Sequence, residues 1–162
     1  MPSTPIKVCA IAAAGLLVLA ADGTPASVFP AMRSRVDSLV ELVGRMGGFT
    51  VDPRDGEGPR AGYAVATGRA TARIEPADRF LGGDGAQALW TYLADKAGQL
   101  HDDPALLVGA WYDRPGGRVV LSLVELVPDR AAAISAAVSN RQRSIYDLAT
   151  GVEVPTGYTG QR

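Results

Sequence analysis

The sequence is poor in the residues that do chemistry. Among its 162 residues there is one cysteine, Cys9, and one histidine, His101. A single cysteine excludes an intramolecular disulfide. The common zinc sets need several Cys, His or carboxylate ligands at short spacing, which this composition cannot supply. No metal and no cofactor is therefore expected. Cys9 lies among Val8, Ala10 and Ile11. That is the setting of a small hydrophobe, since a reactive thiolate needs an electropositive, partly exposed environment. Lysine occurs only at Lys7 and Lys96 and asparagine only at Asn140, while arginine supplies the rest of the positive charge. The net charge of −1 lacks the basic excess on which broad nucleic-acid binding depends.

Sequence motifs are missing as well. The glycines between Asp52 and Gly62 are not followed by Gly-Lys-Ser/Thr, so they form no phosphate-binding loop. There is no Gly-x-Ser-x-Gly elbow for a serine nucleophile. No aromatic RNA-binding motif is present, and Tyr112 and Tyr146 are the only strand aromatics that could stack a base.

What is present is a globular composition, 47% hydrophobic and 20% charged, in a length that suits a single domain. We divide residues 1–162 into an N-terminal segment and helix (1–48), an α+β core (61–155) and a polar tail (156–162). Val8 to Ala21 is an uninterrupted apolar run, shorter than the roughly 20 residues of a membrane-spanning helix. It can be read as a secretory signal with cleavage near Ala20 or Ala26. It can also be read as a buried element ended by the turn Ala21-Asp22-Gly23. The segment before it carries one lysine and two prolines, a poor signal-peptide start, which favours the buried element and a cytoplasmic protein with no membrane span.

Phe29 to Arg45 has Met32, Val36, Leu39, Val40 and Val43 at helical spacing, with charges off that stripe. Ser27 is its candidate cap and Gly47-Gly48 its stop. Asp52 to Gly62 is rich in Pro, Gly and charge and reads as a solvated, mobile loop. Tyr63 to Ile74 alternates as a strand with a bend at Gly68-Arg69. Asp84 to Leu100 is a second helix, capped by Asp84, with Leu89, Trp90, Leu93, Ala97 and Leu100 inward and Tyr92 on the surface. Leu106 to Tyr112 and Arg118 to Val127 form a hairpin around Asp113-Arg114-Pro115-Gly116-Gly117, in which one of the two glycines takes positive φ. The second of these strands is apolar on both faces and should be central. Asp129 caps a third helix, Arg130 to Gln142, with Ala133, Ile134, Ala137 and Val138 inward. Ser144 to Leu148 is a last strand, and Val152 to Val154 a short extension.

From about residue 61 the order is β-α-β-β-α-β, the ferredoxin-like split βαβ arrangement, with an antiparallel sheet and its helices on one face. The N-terminal run and first helix would then be additions that cover the open face or an edge.

The stretch Ser144-Ile145-Tyr146-Asp147-Leu148-Ala149-Thr150-Gly151-Val152-Glu153-Val154-Pro155-Thr156-Gly157 resembles the ending of small uncharacterised proteins of actinobacteria and their phages. The resemblance covers about a tenth of the chain and implies no activity. The wealth of Ala, Gly, Pro and Arg fits a GC-rich source of that kind.

His101-Asp102-Asp103 is the one concentrated titratable set, and an enzyme, hydrolase-like, would be centred there. Adjacent side chains diverge, however, and Pro104 marks a helix-ending loop. Glu125, between Val124 and Leu126, is expected to face solvent. A complete fold pattern without chemistry favours a non-enzymatic interaction module, acting on a protein partner or on itself. Its candidate binding residues are Arg141, Arg143 and Tyr146 with the tail, because arginine and tyrosine are common binding hot spots. The plainer role for Arg141 and Arg143 is to solvate and cap the third helix.

Overall fold

The computed structural model describes residues 27–160. The apolar run Val8 to Ala21 and both of its readings lie outside them. The chain enters through a 3-10 turn, Pro30–Ser34, and continues into helix α1, Val36–Met46. The expected single helix is thus jointed at Arg35, yet Met32, Val36, Leu39 and Val43 remain on one buried stripe. Ser27 does not cap it: neither the turn nor α1 has a side-chain cap. Gly47 stops α1 as expected, in the left-handed conformation at φ 91°, with its N–H on the Val43 carbonyl.

Strand β1, Gly48–Val51, follows at once. Its four residues bury only Val51, too short a pattern for alternation to reveal. The expected strand from Tyr63 to Ile74 resolves into β2, Tyr63–Ala66, and β3, Arg73–Pro76. Both run antiparallel to β5, Arg118–Val127, along the same edge. Residues 67–72 loop out opposite Ser122 and Leu123, held by Thr67 N–H on the Leu123 carbonyl at 3.0 Å. The bend foreseen at Gly68-Arg69 is this loop.

A helical turn, Ala77–Arg79, and a π-type turn, Phe80–Asp84, lead into α2, Gly85–Asp102. The helical path therefore begins before Asp84, which does not cap α2; its carboxylate pairs instead with Arg79 at 3.0 Å. The inward stripe of α2 contains Ala88, Leu89, Tyr92, Leu93 and Leu100. Tyr92, expected at the surface, is 1% exposed, and Trp90, expected inside, is only half-buried. The hydroxyl of Tyr92 can be buried because it donates to the Thr71 carbonyl at 2.7 Å. Burial raises its pKa well above 10.0, an effect larger than the opposing hydrogen bond from the Leu123 backbone.

Strand β4, Leu107–Asp113, and β5 form the expected hairpin. Gly117 takes φ 62°. Asp113 locks the turn, accepting the Gly116 N–H at 3.1 Å and pairing with Arg118 at 2.7 Å. Helix α3, Arg130–Ser139, is capped by Asp129, whose carboxylate accepts the Ala132 N–H at 2.8 Å. It ends short of Gln142, because Arg141 turns left-handed at φ 58°. Its N–H reaches the Val138 carbonyl at 3.0 Å and that of Gln142 the Ala137 carbonyl at 2.8 Å, a Schellman ending. Ala133 and Ala137 are buried, but Val138, expected inward, is 41% exposed. Strands β6, Ser144–Asp147, and β7, Val152–Pro155, close the chain as a second hairpin. The segment expected as an extension is therefore a paired strand.

The result is an α+β fold with a curled, seven-stranded antiparallel sheet in the order β1-β4-β5-β2-β6-β7, with β3 beside β5. It exceeds the expected four-stranded sheet by β1 and β7 at the two edges and by the division of β2 from β3. As expected, β5 is central. Directly opposed residues of antiparallel strands share a face. Val108, Ala110, Val119, Leu121 and Leu123 therefore lie on one face, packed with Val36, Leu39, Val43, Leu89, Tyr92 and Leu93 of α1 and α2. Val65, Ile145 and Val154 continue that face under Ala133 and Ala137 of α3. All three of these described helices cover the same side.

Candidate functional site

Among the described residues, the other side of the sheet carries no helix. Its residues follow from the register. Trp111 lies opposite Val120, and Val120 opposite Ile74, so these three form one row across β4, β5 and β3. Leu126 lies opposite Ala64, Ala64 opposite Tyr146, and Tyr146 opposite Glu153, a second row across β5, β2, β6 and β7. Between them Leu107 and Val124 are opposed, buried with Ala64 against Leu148. The outer residues are open: Ile74 is 57% exposed, Trp111 45%, and Leu126 and Tyr146 each 40%. Such side chains are unremarkable singly, but in rows on one face they form a patch.

Charge on this face is sparse. Arg118 and Asp113 occupy one corner and neutralise each other at 2.7 Å. Glu153 is at the far side and is exposed. The centre carries the small residues Gly109 and Ser122, which are opposed in the register.

The structure separates the residues singled out from sequence. Tyr146 lies on the open face, and its hydroxyl donates to the Gly151 carbonyl at 3.0 Å. Arg143 precedes β6 by one residue and is exposed. Arg143 lies in the bend before the strand, outside the register that places Tyr146, with its guanidinium beside Gly160. The tail stays with Arg143. Thr156 N–H reaches the Arg143 carbonyl at 2.9 Å, the Thr156 hydroxyl donates to Gln142 O at 2.7 Å, and Tyr158 N–H donates back to that hydroxyl at 3.2 Å. Arg141 is exposed at the Schellman position of α3, where its backbone ends the helix.

His101, Asp102 and Asp103 are all exposed at the C-terminal end of α2. His101 borders a shallow depression of about 290 Å³ lined by Val28, Phe29, Pro30, Arg54, Ala97 and Leu100. Neither aspartate lines it, and the Asp103 carboxylate accepts the Ala105 N–H at 3.0 Å. The charged group that does reach this end is Arg54. Its guanidinium donates to the carbonyls of Leu100, Asp103 and Leu106 and pairs with Asp52 at 2.8 Å. This is a helix-terminus cap supplied from a distant loop. The loop from Asp52 to Gly62, expected to be solvated, is accordingly tied down: Pro53 and Gly56 are buried, and Arg35 donates to the Gly56 carbonyl at 2.9 Å. Glu125 is exposed, as expected. Among the described residues no group of three or more His, Cys, Asp and Glu side chains could hold a metal ion. No described helix is long and apolar enough to cross a membrane.

Sequence reasoning passed over Ile74, Trp111 and Leu126. Their signal was present in β5, where Val120, Val124 and Leu126 make the second face as apolar as the first. No family model, curated protein or solved structure matches the chain.

Proposed function

We propose that the protein is a non-enzymatic interaction module that binds a protein partner through the uncovered face of its sheet. One observation carries this reading: four large apolar side chains, Ile74, Trp111, Leu126 and Tyr146, are 40–57% exposed and share one face by register. Aromatic side chains that are part apolar and part hydrogen-bonding suit protein interfaces, and Trp111 and Tyr146 are of that kind. Arg141, Arg143 and the tail supply polar contacts near the β6–β7 end of the sheet. The adjacency β4-β5-β2-β6, joined through α2 and α3, supports a ferredoxin-like core to which β1 and β7 are added. The resemblance of the C-terminal stretch supports an accessory protein of an actinobacterium or its phage.

The test is affinity capture from the native host with three baits: the natural chain, Ile74→Lys with Trp111→Lys, and His101→Ala. Both altered positions of the double variant are exposed, so folding is retained and is checked by circular dichroism. A partner held by the natural chain and by His101→Ala, and lost by the double variant, is the expected result. Loss with His101→Ala alone would move the binding surface to the end of α2 and overturn this reading.

A further inference from the structure

We infer that the occupant of the uncovered sheet face is a second copy of this chain, related by a two-fold axis. This inference rests on the interaction reading above and names its partner. Three features of the face select this occupant.

The first is charge. Among the described strand residues the face presents one ion pair, Arg118 with Asp113, and one further carboxylate, Glu153. A polyanion would find no free cation on it, and an acidic or basic peptide would find no counter-charge. A neutral, apolar surface suits it, and the same face of another copy is such a surface without like-charge conflict over most of its extent. In a two-fold contact one patch must be complementary to itself, and a face nearly free of charge satisfies that condition.

The second is area. With about 3.4 Å per residue along a strand and about 4.8 Å between strands, the strand residues of the sheet span roughly 600 Å² in projection. Two such faces together reach at most about 1,200 Å², since Leu107, Gly109, Ser122 and Val124 at the centre are already buried, and that is the size class of a weak, concentration-dependent association. The exposed apolar side chains lie at the two ends of β5, Trp111, Val120 and Ile74 at one and Leu126 with Tyr146 at the other. Contact would therefore be made at both ends of β5 and not at a single point.

The third is layering. The described helices lie on one side only, so among the described residues the sheet has one buried and one open face. Sheets pack face to face about 10 Å apart, with side chains interdigitating. The small residues Gly109 and Ser122 at the centre, both buried in the single chain, leave the larger side chains of the two end rows to make that contact.

Sedimentation velocity of the full chain, from low micromolar to near-millimolar concentration, tests the inference. It is paired with fluorescence of a Trp90→Phe variant, in which Trp111 is the only tryptophan. A concentration-dependent dimer is expected, with Trp111 emission moving to the blue and becoming shielded from acrylamide over the same range. The variant Ile74→Lys with Trp111→Lys, and the uncharged variant Ile74→Ser with Leu126→Ser, should keep the circular dichroism of the natural chain. Both should weaken dimerisation by about 30-fold or more, the effect of losing one interface hot spot. A chain that stays monomeric with Trp111 open to quencher overturns the self-association. If the double variants still abolish capture of a host protein, the interaction reading survives that result. A monomer whose Trp111 is shielded at every concentration also overturns it, and points to the chain's own N-terminal run as the cover. A dimer unaffected by both variants, with capture also unaffected, overturns the inference and the interaction reading together.

Discussion

The two faces of the sheet differ although one strand, β5, supplies the middle of both. On the covered face Val119, Leu121 and Leu123 are at most 1% exposed, under α1 and α2. On the other face Val120 is half-buried and Leu126 is 40% exposed. The residue types are the same, so composition does not separate the faces. What separates them is which face the helices reach. A buried valine or leucine contributes to folding, whereas the same side chain left partly in water is available to a partner.

The sharpest way to break this comparison is to truncate matched residues on each side. Leu121→Ala should cost about 2–5 kcal/mol, the usual range for a core leucine that leaves a cavity, measured as a shift of the urea midpoint. Ile74→Ala, its counterpart on the open face, should lie within about 0.5 kcal/mol in the monomer. Equal costs would mean that the second face is also a folded core.

Arg54 should come next. Arg54→Ala leaves the carbonyls of Leu100, Asp103 and Leu106 at the end of α2 without their donor. A loss of about 1 kcal/mol or somewhat more is expected, because the Leu100 and Leu106 carbonyls are partly buried and the Asp103 carbonyl can turn to water. Lysine should restore little of it, because a single ammonium cannot reproduce the forked geometry. A variant as stable as the natural chain would show that α2 is held to the covered face without this loop.

Tyr92 sharpens the comparison through pH. Its phenol stays protonated in the folded state well above 10, because burial opposes the charged form. In the unfolded chain it ionises near 10. Its contribution is therefore fully present below pH 10 and is lost as pH rises above it, by up to about 1.4 kcal/mol per unit. Between pH 10 and 12 the natural chain should lose stability more steeply than Tyr92→Phe. Near neutrality that variant should lack about 1 kcal/mol for the missing bond to Thr71. Parallel alkaline profiles would place Tyr92 in solvent.

The smallest effect should be at Arg141. A non-glycine residue at φ 58° is strained where glycine is not, so Arg141→Gly should stabilise the fold by about 0.5–1 kcal/mol. Chemical denaturation reads this directly. If stability falls, the Arg141 side chain holds the α3 end by contacts of its own.

Local chemistry was legible where neighbours in sequence decide the outcome. The stop at Gly47, the turn around Gly117, the cap at Asp129 and the double-sided apolar pattern of β5 all depend on residues a few positions apart. Backbone dihedral preference and period-two alternation report them directly. By itself, then, the sequence determined an α+β chain, its three helices and the central hairpin.

Tertiary structure decided the rest, because the partners are distant in sequence. β1 exists because β4 pairs with it, and β7 because β6 does; four-residue strands carry too little alternation to be seen alone. Tyr92 is inside because Thr71, far from it in sequence, presents a carbonyl at 2.7 Å. The loop from Asp52 to Gly62 is tied down because Arg54 reaches across to the end of α2. Tyr146 is on the open face because β6 pairs with β2, whereas Arg143 stays in the bend before that strand. The open patch is the clearest case. Ile74, Trp111 and Leu126 lie in three different strands, and only pairing in register puts them on one surface, opposite the side on which all three helices pack.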